Sequence, residues 1–262
     1  MAIMSGIELP AFLHSILADV SLPAVLFLLA AALVAGLARG FSGFGGALIF
    51  VPLASAATEP RMAAALLLIV DGVMTLSLLP DAWRRANRRE VTTMVTGALI
   101  GVPVGTAILA LTPPMTLRWI ISIIVLGLLA FLASGWRYHG QPKLPLTIAT
   151  GGIAGVFSGV AQLGGPPVVA YWLGGAIPAA TVRANLVLYF ALSSAISAAA
   201  YMMGGLLTLE VFILSAVICP AYGLGLLAGS RLFGFANETT FRRICFMLIA
   251  LAAVIGMPLF DG

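Results

Sequence analysis

The sequence predicts an all-helical protein that crosses a membrane several times, and two observations carry that prediction. Of the 262 residues, 61% are hydrophobic and only 8% are charged, whereas a soluble globular chain carries about 25% charged residues. Apolar runs also reach the roughly 17–25 residues that a helix needs to cross the hydrocarbon core. The chain lacks the polar side chains to cover a water-facing surface, so a soluble globular fold is excluded.

Ten apolar segments follow the first twenty-one residues of the chain. Residues 1–21 hold no lysine or arginine, so they lack the basic start of a signal peptide and are expected to lie outside the cytoplasm. The second and seventh segments are short and interrupted by glycine, and the seventh opens on two prolines, so we expect broken or re-entrant helices there. The segments lie at 22–38, 42–57, 62–80, 91–111, 117–136, 145–161, 165–177, 184–203, 208–233 and 241–260.

The two halves of the chain contain the same short motifs in the same order, which predicts an internal duplication. The first repeat is placed at 22–140 and the second at 141–262, as one integrated transport domain. The second half holds extra residues, beginning with Ala161 and Gln162. The matching pairs are Phe41-Ser42-Gly43 with Phe157-Ser158-Gly159, Gly101-xxx-Gly105 with Gly225-xxx-Gly229, and Thr116-Leu117-Arg118-x-Ile120 with Thr240-Phe241-Arg242-x-Ile244.

The basic residues predict how the chain is oriented in the membrane. Four arginines fall in the loop DAWRRANRRE, and Arg137 and Lys143 fall in a second loop two crossings later. The positive-inside rule makes that side cytoplasmic, and both chain termini are then extracytoplasmic. Each repeat must cross an odd number of times, so the repeats have inverted topology, a recurring transporter architecture. The net charge of +4 reflects these loops and indicates no nucleic-acid partner.

Two glycine-rich motifs interrupt the apolar segments, RGFSGFGGALIFVP from Arg39 and AGVFSGVAQLGGPP from Ala154. Non-helical chain at membrane depth survives only inside protein or beside a wet cavity. Pro166 and Pro167 lack the backbone N–H and suit the first turn of a new helix. Each motif therefore predicts a helix that starts inside the membrane.

Two such helix starts predict a binding site for a small anion, because free N–H groups and the helix dipole favour negative charge. The serine hydroxyls, a glutamine amide and an arginine would complete it. Tight helix packing by small residues is the alternative, and the arginine has the further alternative of reaching back to the interface. The predicted substrate-binding residues are Arg39, Ser42, Gly43, Gly45, Gly46, Ser158, Gly159, Gln162, Gly164, Gly165 and Pro166.

Asp71 is the acidic residue well inside an apolar run, LLLIVDGVMTL. An intramembrane carboxylate faces the bundle interior or a partner. One interpretation makes it a proton-coupling group, with protons as a second partner of the protein. The other makes it a static residue, either paired with an arginine or hydrogen-bonded as a protonated acid. Both glycine pairs, Gly101/Gly105 and Gly225/Gly229, are read as helix-packing faces, and a face such as Gly101/Gly105 also allows a homodimer.

The chain offers little to an enzyme. Paired carboxylates, a Ser/His/Asp set at depth and metal-ligand spacings are missing from the sequence, and His14 and His139 are isolated at the ends of spans. Cys219 and Cys245 lie in apolar stretches and are read as small hydrophobic residues. We therefore expect no cofactor, no metal and no catalysis, and a channel stays open as an alternative to a carrier.

With these motifs in view, the chain resembles the TauE/SafE family of sulfite and organosulfonate exporters. The resemblance rests on Gly36 with Gly40–Pro52, on Gly151 with Gly155–Pro167, and on two repeated halves. It implies a small-anion transporter of the bacterial inner membrane, associated with sulfite, sulfoacetate or another C2 sulfonate. The first half has Gly45-Gly46-Ala47-Leu48 in place of Gly-Gly-Pro-Pro, so the two half-sites are not expected to be equivalent.

Overall fold

The computed structural model describes residues 21–43, 45–174, 178–232 and 238–259, and within these ranges every regular element is a helix. The predicted extracytoplasmic segment and His14 lie outside the described residues. The helices are α1 Leu22–Ser42, α2 Gly46–Ala57, α3 Pro60–Leu76, α4 Leu79–Arg85, α5 Arg88–Leu111, α6 Pro114–Ala133, α7 Leu144–Ala161, α8 Gly165–Leu173, α9 Ala179–Met203, α10 Leu209–Leu232 and α11 Glu238–Gly256.

Among the described residues, six helices are each long and apolar enough to cross a bilayer, namely α1, α5, α6, α7, α9 and α10. Helices α3 and α4 together pass the same test but bend by 67° at their junction. The multi-pass helical membrane protein predicted from composition is confirmed. Helices α2 and α8, with 12 and 9 residues, are too short to cross about 30 Å of hydrocarbon alone at about 1.5 Å per residue.

The predicted segment 62–80 is wrong in one respect, because the chain breaks inside it. Helix α3 ends at Leu76 and α4 begins at Leu79 with Pro80 in its first turn. Proline cannot donate the N–H that would continue α3. The other breaks lie close to prediction, although α1 runs on to Ser42 and α8 ends at Leu173.

Glycines bring α1 and α10 into backbone contact. A methyl group added at Gly36 would overlap the carbonyl oxygen of Tyr222, and one at Gly40 would overlap that of Leu226. Conversely, methyl groups at Gly225 and Gly229 would overlap carbonyl oxygens of α1. Only residues without a Cβ allow this approach, so the packing role predicted for the second-half glycine pair is confirmed.

Helices α5 and α7 make the most extensive contact in the described chain, also through glycine. Methyl groups added at Gly101 and Gly105 would overlap the carbonyl oxygens of Gly152 and Val156 on α7, and one at Gly159 would overlap that of Val102 on α5. The packing role of the first-half pair is confirmed as well. Because α7 of the same chain covers this face, the face is not available to a second copy, and a homodimer stays a prediction.

The two closest helix pairs each join one half of the sequence to the other. Helix α1 opens the first repeat and packs on α10 of the second, while α7 opens the second repeat and packs on α5 of the first. Helices α1 and α7 occupy corresponding places in the two repeats, as do α5 and α10. Equivalent segments thus make equivalent contacts, as a duplication requires, and the inverted orientation of the repeats stays a prediction.

Candidate substrate-binding site

The first glycine motif breaks the chain between α1 and α2. The break begins at Gly43, where φ is +75° and the backbone N–H bonds to the Arg39 carbonyl 2.8 Å away. Gly45, at φ +97°, precedes the first residue of α2. Both positions lie in the left-handed region, which glycine occupies without a steric cost. The short gap turns the chain and leaves the first N–H groups of α2 without an intrahelical acceptor.

The second motif breaks the chain between α7 and α8 in a different way. Gln162 ends α7 at φ +59° and is the non-glycine residue with positive φ among those described. Helix α8 then begins at Gly165 with two prolines in its first turn, which confirms the start predicted from Gly-Gly-Pro-Pro. An added methyl at Gly164 would overlap the Ser158 hydroxyl, so the turn is closed tightly over α7.

Both helix starts face one cavity of about 50 Å³. The structure therefore brings together residues that lie more than a hundred positions apart in sequence. Nine of the predicted positions contribute to the lining: Arg39, Gly45, Gly46, Asp71, Ser158, Gln162, Gly164, Gly165 and Pro166.

Three predicted residues lie next to the cavity but outside its lining. Ser42 is exposed and its hydroxyl donates to the Ala38 carbonyl, 2.7 Å away. Gly43 is exposed too and caps α1. Gly159 packs against α5, and its carbonyl accepts a hydrogen bond from Tyr201 at 2.9 Å. The motif spacing did not distinguish the residues that form the turn from those whose surfaces reach the cavity.

Arg39 and Asp71 form a two-pronged ion pair at the edge of the cavity. The Arg39 Nε donates to Asp71 Oδ1 at 2.8 Å and Nη2 donates to Oδ2 at 2.9 Å. The Tyr222 hydroxyl donates to the same Oδ1 at 2.8 Å, and Arg39 Nη1 donates to the Gly43 carbonyl at 2.7 Å. Arg39 thus turns inward, and the alternative in which it reaches back to the interface is wrong.

The ion pair leaves part of the guanidinium free to bind a guest. A guanidinium has five N–H groups, and three of those of Arg39 are used by Asp71 and Gly43. Because Asp71 compensates the charge of Arg39, the partial positive charges of the two helix starts make up much of the remaining positive charge of the lining. Phe190 covers one face of the guanidinium, with its ring centre 5.6 Å from the Arg39 carbon.

Several lining residues could not be predicted from sequence because they lie on helices without a glycine motif. Helix α9 contributes Phe190, Ser193 and Ser194, and α3 contributes Leu67 and Leu68 beside Asp71. A serine inside an apolar helix gives no sign of the direction in which it points. Its helical register relative to other polar residues is the one available signal.

Candidate metal ligands are not grouped anywhere in the described parts of the chain, since no three His, Cys, Asp or Glu side chains come together there. The cavity instead offers donors to an anion. These donors are amides at two helix starts, the Ser158 and Ser193 hydroxyls, the Gln162 amide and the free N–H groups of Arg39.

The helices and the cavity define a multi-pass membrane protein whose interrupted helices enclose a small polar site. The model of the family "Sulfite exporter TauE/SafE" matches residues 28–255, which is most of the chain. The chain belongs to that family, and membership implies a membrane transporter of sulfite-like anions. Comparison with curated proteins and with solved structures finds no match.

Proposed function

We propose that this protein is a secondary transporter that exports a small sulfur-containing oxyanion across the bacterial inner membrane, with sulfite as the first candidate. One observation carries the proposal: two helix starts and an arginine, from distant parts of the chain, line a single cavity. Helix starts bind oxyanions through backbone N–H groups and the helix dipole. The family assignment and this geometry point to the same chemistry independently.

The size of the cavity favours a small substrate. A water needs roughly 10–15 Å³ of such volume, so 50 Å³ holds about three or four waters. Sulfite presents three oxygens around one sulfur and fits that space. Sulfoacetate and other C2 sulfonates carry an additional arm, so they require the cavity to widen around the same oxyanion contacts.

The distribution of charge suits a carrier that must release its substrate. Arg39 is the one basic residue of the described lining, and Asp71 already pairs with it. Neutral donors at the helix starts then bind the anion without a deep cationic pocket that would hold it too tightly for turnover. We propose that an arriving anion takes the remaining N–H groups of Arg39 while Asp71 keeps the side chain in place.

Alternating access around the cavity is supported by the equivalent contacts that the two halves make. Two inverted repeats joined in this way give two related conformations, each open to one side. Export also follows from energetics, since a negative interior drives each unit of negative charge outward by about 2.3 kcal/mol per 100 mV. An importer, or a carrier of another small anion, is the alternative on the same site.

The contacts of Asp71 bear on whether transport is coupled to a proton gradient. Its bonds to Arg39 and Tyr222 favour a static pair over a group that must be released to carry protons. We expect Asp71→Asn in liposomes to lower the rate of uptake without changing its dependence on a pH gradient. If the variant abolishes that dependence while uptake continues, Asp71 is the coupling group.

The central test combines binding and transport by the purified protein. We expect sulfite to raise the melting temperature and acetate to leave it unchanged. Gly165→Leu fills the start of α8 and should abolish the shift. Counterflow of labelled sulfite in liposomes separates a carrier from a channel, because a channel gives no accumulation against the label gradient. If no sulfur oxyanion raises the melting temperature and the liposomes take up no sulfite, the proposal is wrong.

A further inference from the structure

A buried polar face runs along α9. Five residues four positions apart lie on it, Asn185, Tyr189, Ser193, Ser197 and Tyr201, and each is at most 2% exposed. Each step of four residues moves one turn along the helix and about 40° further around it, so Asn185, Tyr189 and Ser193 share one side of α9 and the face then winds around the helix towards Tyr201. At about 1.5 Å per residue the face extends for about 24 Å, most of the thickness of the hydrocarbon core.

Several polar atoms of this face have nothing to bind. The Asn185 amide nitrogen and the hydroxyls of Tyr189, Ser193 and Ser197 have no hydrogen-bond partner among the described residues. The Tyr189 and Ser193 hydroxyls lie close enough for a weak hydrogen bond to each other, although its geometry is not that of a well-formed one. Burying polar groups without well-formed hydrogen bonds is unfavourable, so a face that retains four of them is suited to a guest that binds transiently.

The face connects the cavity to the side that carries the arginine-rich loop. Its first residue, Asn185, accepts a hydrogen bond through Oδ1 from the backbone N–H of Asn87, 2.7 Å away in that loop. Its middle residue, Ser193, lines the cavity. Beyond the cavity, the Tyr201 hydroxyl donates to the Gly159 carbonyl and lies 3.4 Å from the Gln162 amide nitrogen.

An aromatic contact closes the face between Asn185 and the cavity. Trp172 of α8 is fully buried and meets the Tyr189 ring edge-on, with 6.2 Å between ring centres. Tyr189 in turn contacts Phe190, the residue that covers Arg39. The charged groups near this end are the loop arginines and Glu90, whose carboxyl neighbours the Trp172 side chain. If the Trp172 and Tyr189 rings moved apart, the polar face of α9 would be continuous from the loop to the cavity.

We propose that this face of α9 is the wall of the passage by which the anion moves between the arginine-rich loop and the cavity, and that Trp172 against Tyr189 is its gate. The inference rests on the proposed function, because it assumes that the cavity binds the transported anion. The amide and hydroxyl groups replace water around the anion as it passes. The gate is closed in this structure.

Other buried hydroxyls without a partner provide matched controls. Ser122 on α6 and Ser215 on α10 are as buried as Ser193 and also have no hydrogen-bond partner within the described chain. Neither lines the cavity. If an unpaired buried serine merely marks a side chain that can rotate toward its own backbone, these two positions will behave like Ser193.

The test is cysteine accessibility in inside-out vesicles, without substrate. Cys219 and Cys245 are free and are first replaced by alanine. Ser193→Cys, Ser122→Cys and Ser215→Cys are then treated with the anionic reagent sulfonatoethyl methanethiosulfonate and with its cationic trimethylammonium counterpart. We expect the anionic reagent to label Ser193→Cys about tenfold faster than either control, a ratio that corresponds to about 1.4 kcal/mol in the free energy of opening.

Removing the gate sharpens the result. Trp172→Ala should raise the labelling rate of Ser193→Cys by about tenfold again and leave both controls unchanged; Trp172→Phe should fall between. Equal labelling of all three serine positions, or no labelling of Ser193→Cys even with Trp172→Ala, would overturn the proposal. Melting curves of each variant identify any that misfold. The labelling experiment contains no substrate. If labelling is as expected but the protein does not transport sulfite, the proposed substrate is wrong and the proposed passage stands.

Discussion

The two helix breaks face the same cavity but are built from different parts. The break after α1 uses two left-handed glycines and stands beside a charged pair, Arg39 with Asp71. The break after α7 uses a left-handed glutamine and two prolines and stands beside Ser158, which is buried at 5% exposure. The two prolines have no N–H to offer a guest, whereas α2 begins without proline.

We infer from this difference that the two breaks contribute different groups to the cavity. The first break supplies charge and a full set of backbone donors, and its glycines leave it room to adjust. The second supplies neutral side-chain donors, Ser158 and Gln162, in a turn that proline and close packing hold rigid. The two copies of the motif thus differ in structure, as the missing Gly-Gly-Pro-Pro in the first half predicts, and their roles as unlike half-sites stay a prediction.

The largest effect should come from the charged half. We expect Arg39→Ala to lower sulfite transport by roughly 100-fold, because hydrogen bonds to charged groups contribute about 1.5–3 kcal/mol. It should also destabilise the fold by about 2 kcal/mol, since Asp71 is left unpaired at partial exposure. Uptake in liposomes and thermal melting measure the two effects.

A double substitution separates folding from binding at this pair. Arg39→Met with Asp71→Leu removes both charges and should recover the melting temperature while sulfite transport stays as low as in Arg39→Ala. If Arg39→Ala transports sulfite at the full rate, the first break and its charged pair do not take part in binding the anion.

The next largest effect concerns the rigidity of the second break. Gly164→Ala places a methyl group against the Ser158 hydroxyl and the Ala154 carbonyl, and we expect it to destabilise the protein by about 3 kcal/mol, the upper end of the usual overpacking penalty. Gly43→Ala in the first break meets no atom within 4 Å, so it should cost only the left-handed strain, about 1–2 kcal/mol.

Gly72→Ala is the control for both glycine variants. It lies in α3 beside Asp71, and the added methyl meets no atom within 4 Å, so stability should stay level or rise by up to about 1 kcal/mol. Comparison of the three melting temperatures checks the order. Equal losses at Gly43 and Gly164 would remove the contrast in rigidity between the two breaks.

The smallest effect compares the two motif serines. Ser158 lines the cavity, whereas the exposed Ser42 lies outside it. Loss of one neutral hydrogen bond costs about 1 kcal/mol, so Ser158→Ala should weaken sulfite binding about fivefold, and Ser42→Ala should leave it unchanged. Titration of the sulfite-induced thermal shift provides both affinities. A fivefold loss at Ser42 would mean that the serines remain equivalent.

Much of the fold could be predicted because the membrane imposes simple rules. Long apolar runs must be helices, and Gly-Gly-Pro-Pro can only end one helix and begin another, so α7 and α8 fall close to their predicted bounds. The bend between α3 and α4 was missed although Pro80 marks it, because the run of apolar residues continues across the break.

The site was predictable where a residue changes the backbone and not where it only presents a side chain. The helix start at Gly165 follows from sequence, whereas α2 begins at Gly46, four residues after the predicted start at residue 42. Ser193 and Tyr222 do not follow from sequence, since their roles depend on which face of α9 or α10 meets the cavity. For α9 a signal existed in the four-residue spacing from Asn185 to Tyr201. The choice between the two interpretations of Asp71 required the position of Arg39, which no local pattern contains.

The glycine contacts limit how this molecule can change shape. Helix α1 touches α10, and α5 touches α7, backbone against carbonyl, which leaves no layer of flexible side chains to absorb sliding. Each of these helix pairs joins one half of the sequence to the other, so the two halves cannot move apart as two separate rigid bodies. Any rocking motion must instead carry α1 with α10 as one block and α5 with α7 as another, and the helix starts around the cavity lie where those blocks would part.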